Sequence, residues 1–66
     1  MNINKLKGKM VEKEMSVEKM ASLLGQNRAT IYRKLKGGDN FTVGEVSVIK
    51  TILELSNEEA SAIFFD

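Results

Sequence analysis

The sequence has no cysteine and no histidine, and these two absences exclude several classes of protein at once. Without cysteine there are no disulfides and no thiolate metal sites. Without histidine, the usual zinc sites and imidazole acid–base chemistry are excluded as well. The lack of cysteine also fits a reducing cytoplasm, which is where we expect the protein. We expect it to need no cofactor and no metal.

Long apolar runs are absent too. No segment approaches the roughly 20 apolar residues that span a bilayer, and the polar, basic start of the chain lacks the apolar stretch of a signal peptide. The lysine-rich first helix lacks the broad apolar face with aromatic residues that membrane-surface helices carry. We therefore expect no membrane partner.

The charge of the 66 residues is distributed unevenly along the chain. Residues 1–36 hold nine basic and three acidic residues, a net charge of +6, whereas residues 37–66 hold one basic and six acidic residues, a net charge of −5. The basic half suits a polyanion such as a nucleic acid. Solvated lysine-rich helix faces explain the same charge, so charge alone leaves both interpretations open.

Helix-forming residues dominate, proline is absent, and turn signals are few. The pattern predicts one all-α domain, spanning residues 1–66, of five short helices over residues 4–13, 17–24, 28–36, 43–55 and 57–64. The expected N-caps are Asn4, Ser16, Asn27, Thr42 and Ser56, the last two in capping boxes with Glu45 and Glu59. The expected core comprises Ile3, Leu6, Met10, Met20, Leu23, Leu24, Ile31, Leu35, Val46, Ile49, Ile52, Leu53, Ala60, Ile63 and Phe64, with Phe41 as an anchoring staple. Residues 37–40 are the clearest loop.

Residues 16–35 are the most informative stretch. They predict two short helices joined by a tight turn, with the small Ala21 where the helices approach and Gly25 at a positive φ in the turn. Met20, Leu24, Ile31 and Leu35 fill the space between the two helices. This is how a helix-turn-helix is built, although an ordinary helical hairpin is the alternative. The basic outer face of the third helix favours the helix-turn-helix.

The outer face of the third helix carries the candidate DNA contacts. At about 100° per residue, Arg33 points away from the buried pair Ile31 and Leu35. In a helix-turn-helix the third helix enters the major groove with its N-terminus first. The expected base contacts are Arg28, Ala29, Tyr32 and Arg33. By angle Arg28 lies nearer the core side, but in the first turn its side chain can reach out past the helix end. Arginine matches guanine O6 and N7, and alanine can touch a thymine methyl. The alternative for each arginine is a phosphate, and for Tyr32 a phosphate or the edge of the core.

Phosphate contacts are expected from further polar side chains on the first and third helices. They are Lys5, Lys7, Lys9, Asn27, Thr30, Lys34 and Lys36. Solvation is the alternative for any single lysine. As a group they predict binding that depends strongly on salt.

Through Met20-Ala21, Leu24-Gly25, Ile31 and Leu35 the chain resembles the lambda-repressor-like family, of the Cro/repressor type of helix-turn-helix proteins. It is similar in particular to the small Cro-like regulators of phages of Gram-positive bacteria. Residues 37–42 and 57–65 match as well. The resemblance implies a five-helix domain, dimeric operator binding and transcriptional repression, with base reading at Arg28, Ala29 and Arg33.

Two positions depart from the family pattern. The family often has a phosphate-binding glutamine where this chain has Val17, so that contact is missing here. It usually has an apolar turn residue where this chain has Gln26, a change expected to loosen the turn.

The sequence thus predicts a Cro-like repressor: a transcriptional regulator that binds double-stranded operator DNA, associates with the bacterial nucleoid and acts as a homodimer. Residues 63–65 are either the dimer contact or the closure of the core. A protein-interaction module or antirepressor is the alternative, supported by the acidic half. An enzyme with a small-molecule substrate is the least favoured class, because no phosphate-binding glycine loop is present and the chain is too small to enclose a pocket easily.

Overall fold

A computed structural model describes residues 1–37 and 40–65 of the chain. Within these ranges the chain forms five α-helices and no strand, which confirms the predicted all-α class. The helices are α1 (Ile3–Glu12), α2 (Val17–Leu24), α3 (Arg28–Leu35), α4 (Val43–Ile52) and α5 (Asn57–Phe64). Of the predicted loop at residues 37–40, Gly38 and Asp39 lie outside the described residues.

Four of the five predicted N-caps are confirmed. The side-chain oxygens of Ser16, Asn27, Thr42 and Ser56 each accept a hydrogen bond from the backbone N–H three residues later, at 2.9–3.1 Å. Both predicted capping boxes are present, since Glu45 and Glu59 accept in return from the backbone N–H of their caps. These bonds satisfy N–H groups that have no partner inside the helix.

The cap predicted for the first helix is wrong. Asn2, not Asn4, caps α1, and its Oδ1 accepts from the Lys5 N–H at 3.1 Å. The backbone N–H of Asn2 donates to the Ile63 carbonyl at 2.6 Å, which ties the start of the chain to α5. Because Asn2 is held in an extended conformation there, the helix begins at Ile3 and Asn4 lies in its first turn.

The ends of α1 and α4 come earlier than predicted, at Glu12 and Ile52. In each case a glutamate two residues later, Glu14 or Glu54, adopts a left-handed conformation with φ 54° and turns the chain back. Glycine, the usual left-handed residue, is absent from both positions, so the sequence carries no signal for either turn, and the predicted fourth helix runs through Glu54. By contrast, α2 ends as predicted at Gly25, whose φ is 69°. The third helix ends at Leu35, with Lys36 as its C-cap.

Every helix contributes to one apolar core. The largest fully buried side chains are Leu6, Met20, Ile31, Ile49, Leu53 and Ile63. Burying a side chain of this size stabilises the fold by about 1.5–3 kcal/mol. Phe41, the predicted staple, is also buried and packs edge-to-face on Phe64 with ring centroids 6.3 Å apart.

One predicted core residue lies at the surface, because Leu23 is 49% exposed. The buried side of α2 is formed by Met20 and Ala21, with Leu24 half-buried between them in angle. At about 100° per residue, Leu23 lies some 100° from the centre of that side. Its side chain therefore points away from the core.

Candidate nucleic-acid interface

Among the described residues, α2 packs more extensively against α3 than any other pair of helices packs together. The helices are joined by residues 25–27, in which Gly25 is left-handed and the Gln26 N–H donates to the Ala21 carbonyl at 2.9 Å. Ala21 and Ile31 are buried where the two helices approach each other. This packing turns the opposite side of α3 outward.

The outward side of α3 brings together the four residues predicted to contact bases. Arg28, Ala29, Tyr32 and Arg33 are all exposed and, with Lys36, line one shallow open depression. Tyr32 is 44% exposed and also lines a second depression, between α1 and α3, beside Leu35. The outer face of α3, formed by these five residues, presents three cations within two helical turns.

An acidic residue of α2, Glu18, lies beside this face. Glu18 Oε2 is 3.5 Å from Arg28 Nη1, and the two side chains are 54% and 70% exposed. A pair this exposed contributes at most about 1 kcal/mol to stability. The pair instead affects the orientation of Arg28, because Glu18 holds the arginine side chain toward the start of α2. Nothing in the local sequence pattern signals this pair.

The lysines of α1 are divided between two sides of the protein. Lys7 and Lys36 line a depression between α1 and α3 that also includes Tyr32, so Lys7 extends the outer face of α3. Lys5 and Lys9 instead line a depression against α5. The division follows from helix geometry, since Lys7 is about 200° around the helix from either neighbour.

Lys9 is engaged by two carboxylates on the α5 side. Its Nζ lies 2.5 Å from Glu59 Oε2 and 3.2 Å from Glu12 Oε2. The hydrogen bonds to Glu59 and Glu12 raise the pKa of Lys9. The predicted phosphate contacts of Lys5 and Lys9 thus concern a different side of α1 from the one that meets α3.

Asn27 and Thr30 are committed to each other at the start of α3. Asn27 Oδ1 accepts from the Thr30 N–H at 2.9 Å and from the Thr30 hydroxyl at 3.0 Å. A phosphate oxygen needs a donor, and a hydroxyl that donates within the protein offers only lone pairs outward. The predicted phosphate contact at this helix start therefore falls to the Asn27 amide NH₂.

The structure corrects the prediction for Lys34, which was expected to contact a phosphate. Its side chain is 11% exposed, its Nζ lies 2.8 and 2.9 Å from the two carboxylate oxygens of Glu45, and it sits 5.3 Å from the centroid of the Phe41 ring. The reason is its place on the helix. Lys34 is only about 60° from the fully buried Ile31, so its stem follows the core and its ammonium is turned inward.

The carboxylate of Glu45 is the centre of a polar network beneath the outer face of α3. It accepts hydrogen bonds from Lys34, from the Thr42 backbone N–H at 2.7 Å and from the Gln26 side-chain amide. Burial raises the pKa of Glu45, but the hydrogen bonds from Lys34, Thr42 and Gln26 outweigh it and lower the pKa to about 2. Among the described residues, no buried polar side-chain atom lacks a hydrogen-bond partner.

This network also corrects the expectation that Gln26 loosens the turn. The side chain of Gln26 is half-buried and bonded to Glu45, so the turn is tied to α4 and not loosened. The sequence predicts Glu45 only as half of a capping box. The signals available for the network are Gln26, which departs from the pattern that the resemblance implies, and Lys34, which lies only about 60° from Ile31.

The C-terminal residues 63–65 divide between the core and the surface. Ile63 is 2% exposed and belongs to the core, Phe64 is half-buried against Phe41, and Phe65 is 75% exposed. Phe65 and the 85% exposed Val43 line a shallow apolar depression at the start of α4 and the end of α5. Ile63 therefore closes the core, whereas Phe65 forms part of an apolar patch on the surface.

Residues 1–37 and 40–65 contain no group of three acidic, histidine or cysteine side chains placed to hold a metal ion. None of the five helices in the described ranges combines the length and the hydropathy needed to cross a bilayer.

No family model, no curated protein and no solved structure matches the chain.

Proposed function

We propose that the protein is a sequence-specific regulator of transcription that binds double-stranded DNA, with α2 and α3 acting as a helix-turn-helix. The observation that carries this proposal is the outer face of α3. Arg33 and Ala29 stand exposed on the side opposite Ile31 and Leu35. Tyr32 and Lys36 flank them, and Arg28, in the first turn of the helix, lines the same depression.

The dimensions of α3 suit a major groove. An α-helix with its side chains is about 10–12 Å in diameter, and a B-DNA major groove is about 12 Å wide. In this proposal Arg33 and Arg28 donate to guanine O6 and N7, and Ala29 packs on a thymine methyl. Lys36 and Lys7 flank the helix and contact phosphates, which position the protein without specifying sequence.

A helix this short reads few base pairs, so we extend the proposal to a homodimer on DNA that reads two half-sites one helical turn apart. The exposed pair Val43 and Phe65 is the candidate contact between the copies. Phe65→Ser is then expected to leave binding to a half-site unchanged and to weaken binding to a palindromic site. A protein that sediments as a monomer both free and on a full palindromic site contradicts the dimer.

The test of the function is selection of binding sites from random double-stranded DNA by the wild-type protein. We expect enrichment of a two-fold symmetric motif containing guanine, bound with an affinity that falls steeply with salt. Recovery of no motif, together with equal affinity for every duplex, contradicts the proposal. The protein-interaction alternative predicts this lack of preference among duplexes. The apolar surface at Val43 and Phe65 is the observation that favours that alternative.

A further inference from the structure

The polar network of Glu45, Lys34, Gln26 and Thr42 lies below the outer face of α3. Its centre, the carboxylate of Glu45, bonds to the chain on both sides of the residues proposed to contact bases. Gln26 stands two positions before Arg28, and Lys34 directly follows Arg33. The same carboxylate is anchored to α4 through the Thr42 N–H at 2.7 Å. One side chain of α4 thus holds both the turn that precedes α3 and the last turn of α3.

We propose that Glu45 is a positioning residue of the DNA interface, which sets the height and rotation of α3 without touching DNA. This inference rests on the proposed function. A site that reads bases must hold its contact residues to within about 0.5 Å and 10–20°. Apolar packing of Ile31 and Leu35 on α2 limits how far α3 lies from the core but resists sliding and rotation weakly. Hydrogen bonds are directional and resist both.

The charge of Glu45, and not only its hydrogen-bonding capacity, is required for this role. Glutamine at position 45 would still accept from the Thr42 N–H, because glutamine serves in a capping box as well as glutamate does. It would leave the Lys34 ammonium, whose side chain is 11% exposed, without a counter-charge. A buried cation without a partner is strongly unfavourable, so Lys34 would turn out to solvent and release the last turn of α3.

The chain contains a matched control for this substitution. Glu59 occupies the same position of the second capping box, pairs with a lysine at 2.5 Å and also has its pKa lowered, to about 2, by bonds from Lys9 and from the Ser56 backbone. It joins α5 to α1 and does not contact α3. Glu45→Gln and Glu59→Gln therefore remove the same charge from the same kind of cap, and only the first disturbs the helix that carries the proposed contacts.

The experiment compares Glu45→Gln, Glu59→Gln and the wild type in two measurements. The first is the ratio of affinities for the selected site and for a random duplex, by fluorescence anisotropy. The second is amide hydrogen exchange of α3 in the free protein. We expect Glu45→Gln to lower the affinity ratio at least about tenfold and to accelerate exchange in α3. We expect Glu59→Gln to change the ratio less than about threefold and to leave α3 exchange as in the wild type. An equal effect of both variants on the ratio, or an unchanged ratio in Glu45→Gln, overturns the proposal.

Two further provisions keep the result decisive. If Glu45→Gln does not fold, Lys34→Met replaces it, because it keeps the apolar stem and leaves the bonds of Glu45 to Thr42 and Gln26. The same tenfold loss is expected, and an unchanged ratio overturns the inference. If the wild type prefers no sequence, the proposed function fails. Hydrogen exchange then decides by itself whether Glu45 holds α3, and equal exchange in the two glutamine variants shows that it does not.

Discussion

Acid is expected to destabilise the protein through Glu45. The pKa of this carboxyl is about 2 in the folded chain, against an ordinary value of 4.5 that applies when the chain is unfolded. A folded pKa below the unfolded one means that the stabilisation is fully present above pH 4.5. It is lost progressively as the pH falls from 4.5 toward 2. Protonation removes the partner of Lys34, the only charged side chain bonded to Glu45 among the described residues.

The size of the effect follows from the difference between the two pKa values. A difference of about 2.5 units at about 1.4 kcal/mol per unit corresponds to roughly 3 kcal/mol above pH 4.5. The Glu45 side chain is only 10% exposed, so solvent screens the pair little. A 66-residue domain has a total free energy of unfolding of about 3–10 kcal/mol. Glu45 therefore contributes a large share of the stability at neutral pH.

The assay is urea unfolding followed by far-UV circular dichroism at pH 7, 5, 4 and 3. We expect the wild type to lose about 2 kcal/mol of unfolding free energy through Glu45 between pH 5 and pH 3. We expect Glu45→Gln to lack this loss but to keep the acid dependence that the other carboxylates cause. Glu59→Gln measures how much of the loss of unfolding free energy comes from the second capping box. If the wild type and Glu45→Gln lose equal stability between pH 5 and pH 3, the account of Glu45 given above is refuted.

Three further predictions test the outer face of α3 and the turns. Arg33→Ala is expected to weaken binding to the selected site at least about tenfold while circular dichroism shows the fold retained, and equal binding removes Arg33 from the base contacts. Lys7→Ala is expected to reduce the slope of log affinity against log salt concentration by about 1. The matched variant Lys5→Ala, on the α5 side of the same helix, is expected to leave the slope unchanged. Equal slopes in the two variants contradict the assignment of these lysines to different sides of α1. Glu54→Gly is expected to raise the unfolding free energy by about 1 kcal/mol, because φ is 54° at this position. Glu54→Ala removes the same side chain but keeps a Cβ, and we expect it to bring no gain. A stabilised alanine variant contradicts this explanation.

The beginnings of the helices were predictable from the sequence because caps are local. A serine, threonine or asparagine bonds to an N–H three residues along the chain, and no distant contact is needed. The exception, Asn2 in place of Asn4, depends on a bond to Ile63 at the other end of the chain. The left-handed turns at Glu14 and Glu54, which follow the ends of α1 and α4, were not predictable, because a glutamate gives no local signal of that conformation.

The candidate interface divides in the same way. Most of the outer face of α3 follows from helical spacing around Ile31 and Leu35, whereas Arg28 lies only about 60° from Ile31 and reaches that face from the first turn. The structure brings the predicted side chains together along one depression. The inward turn of Lys34 and the pairing of Arg28 with Glu18 depend on how separate helices meet. Periodicity within one helix carries no information about such contacts.

Gln26 departs from the apolar pattern expected in the turn, and its hydrogen bond to Glu45 of α4 explains why a polar residue fits there. Judged alone, a glutamine in the turn breaks the apolar pattern that the resemblance implies. In the structure it is one of three residues, with Lys34 and Glu45, whose polar groups satisfy one another between the turn, α3 and α4. Replacing Glu45 removes the bonded partner of both Lys34 and Gln26, which costs more than the bonds themselves contribute. The three residues therefore constrain one another, and together they supply an orientation for α3 that an apolar turn residue cannot supply.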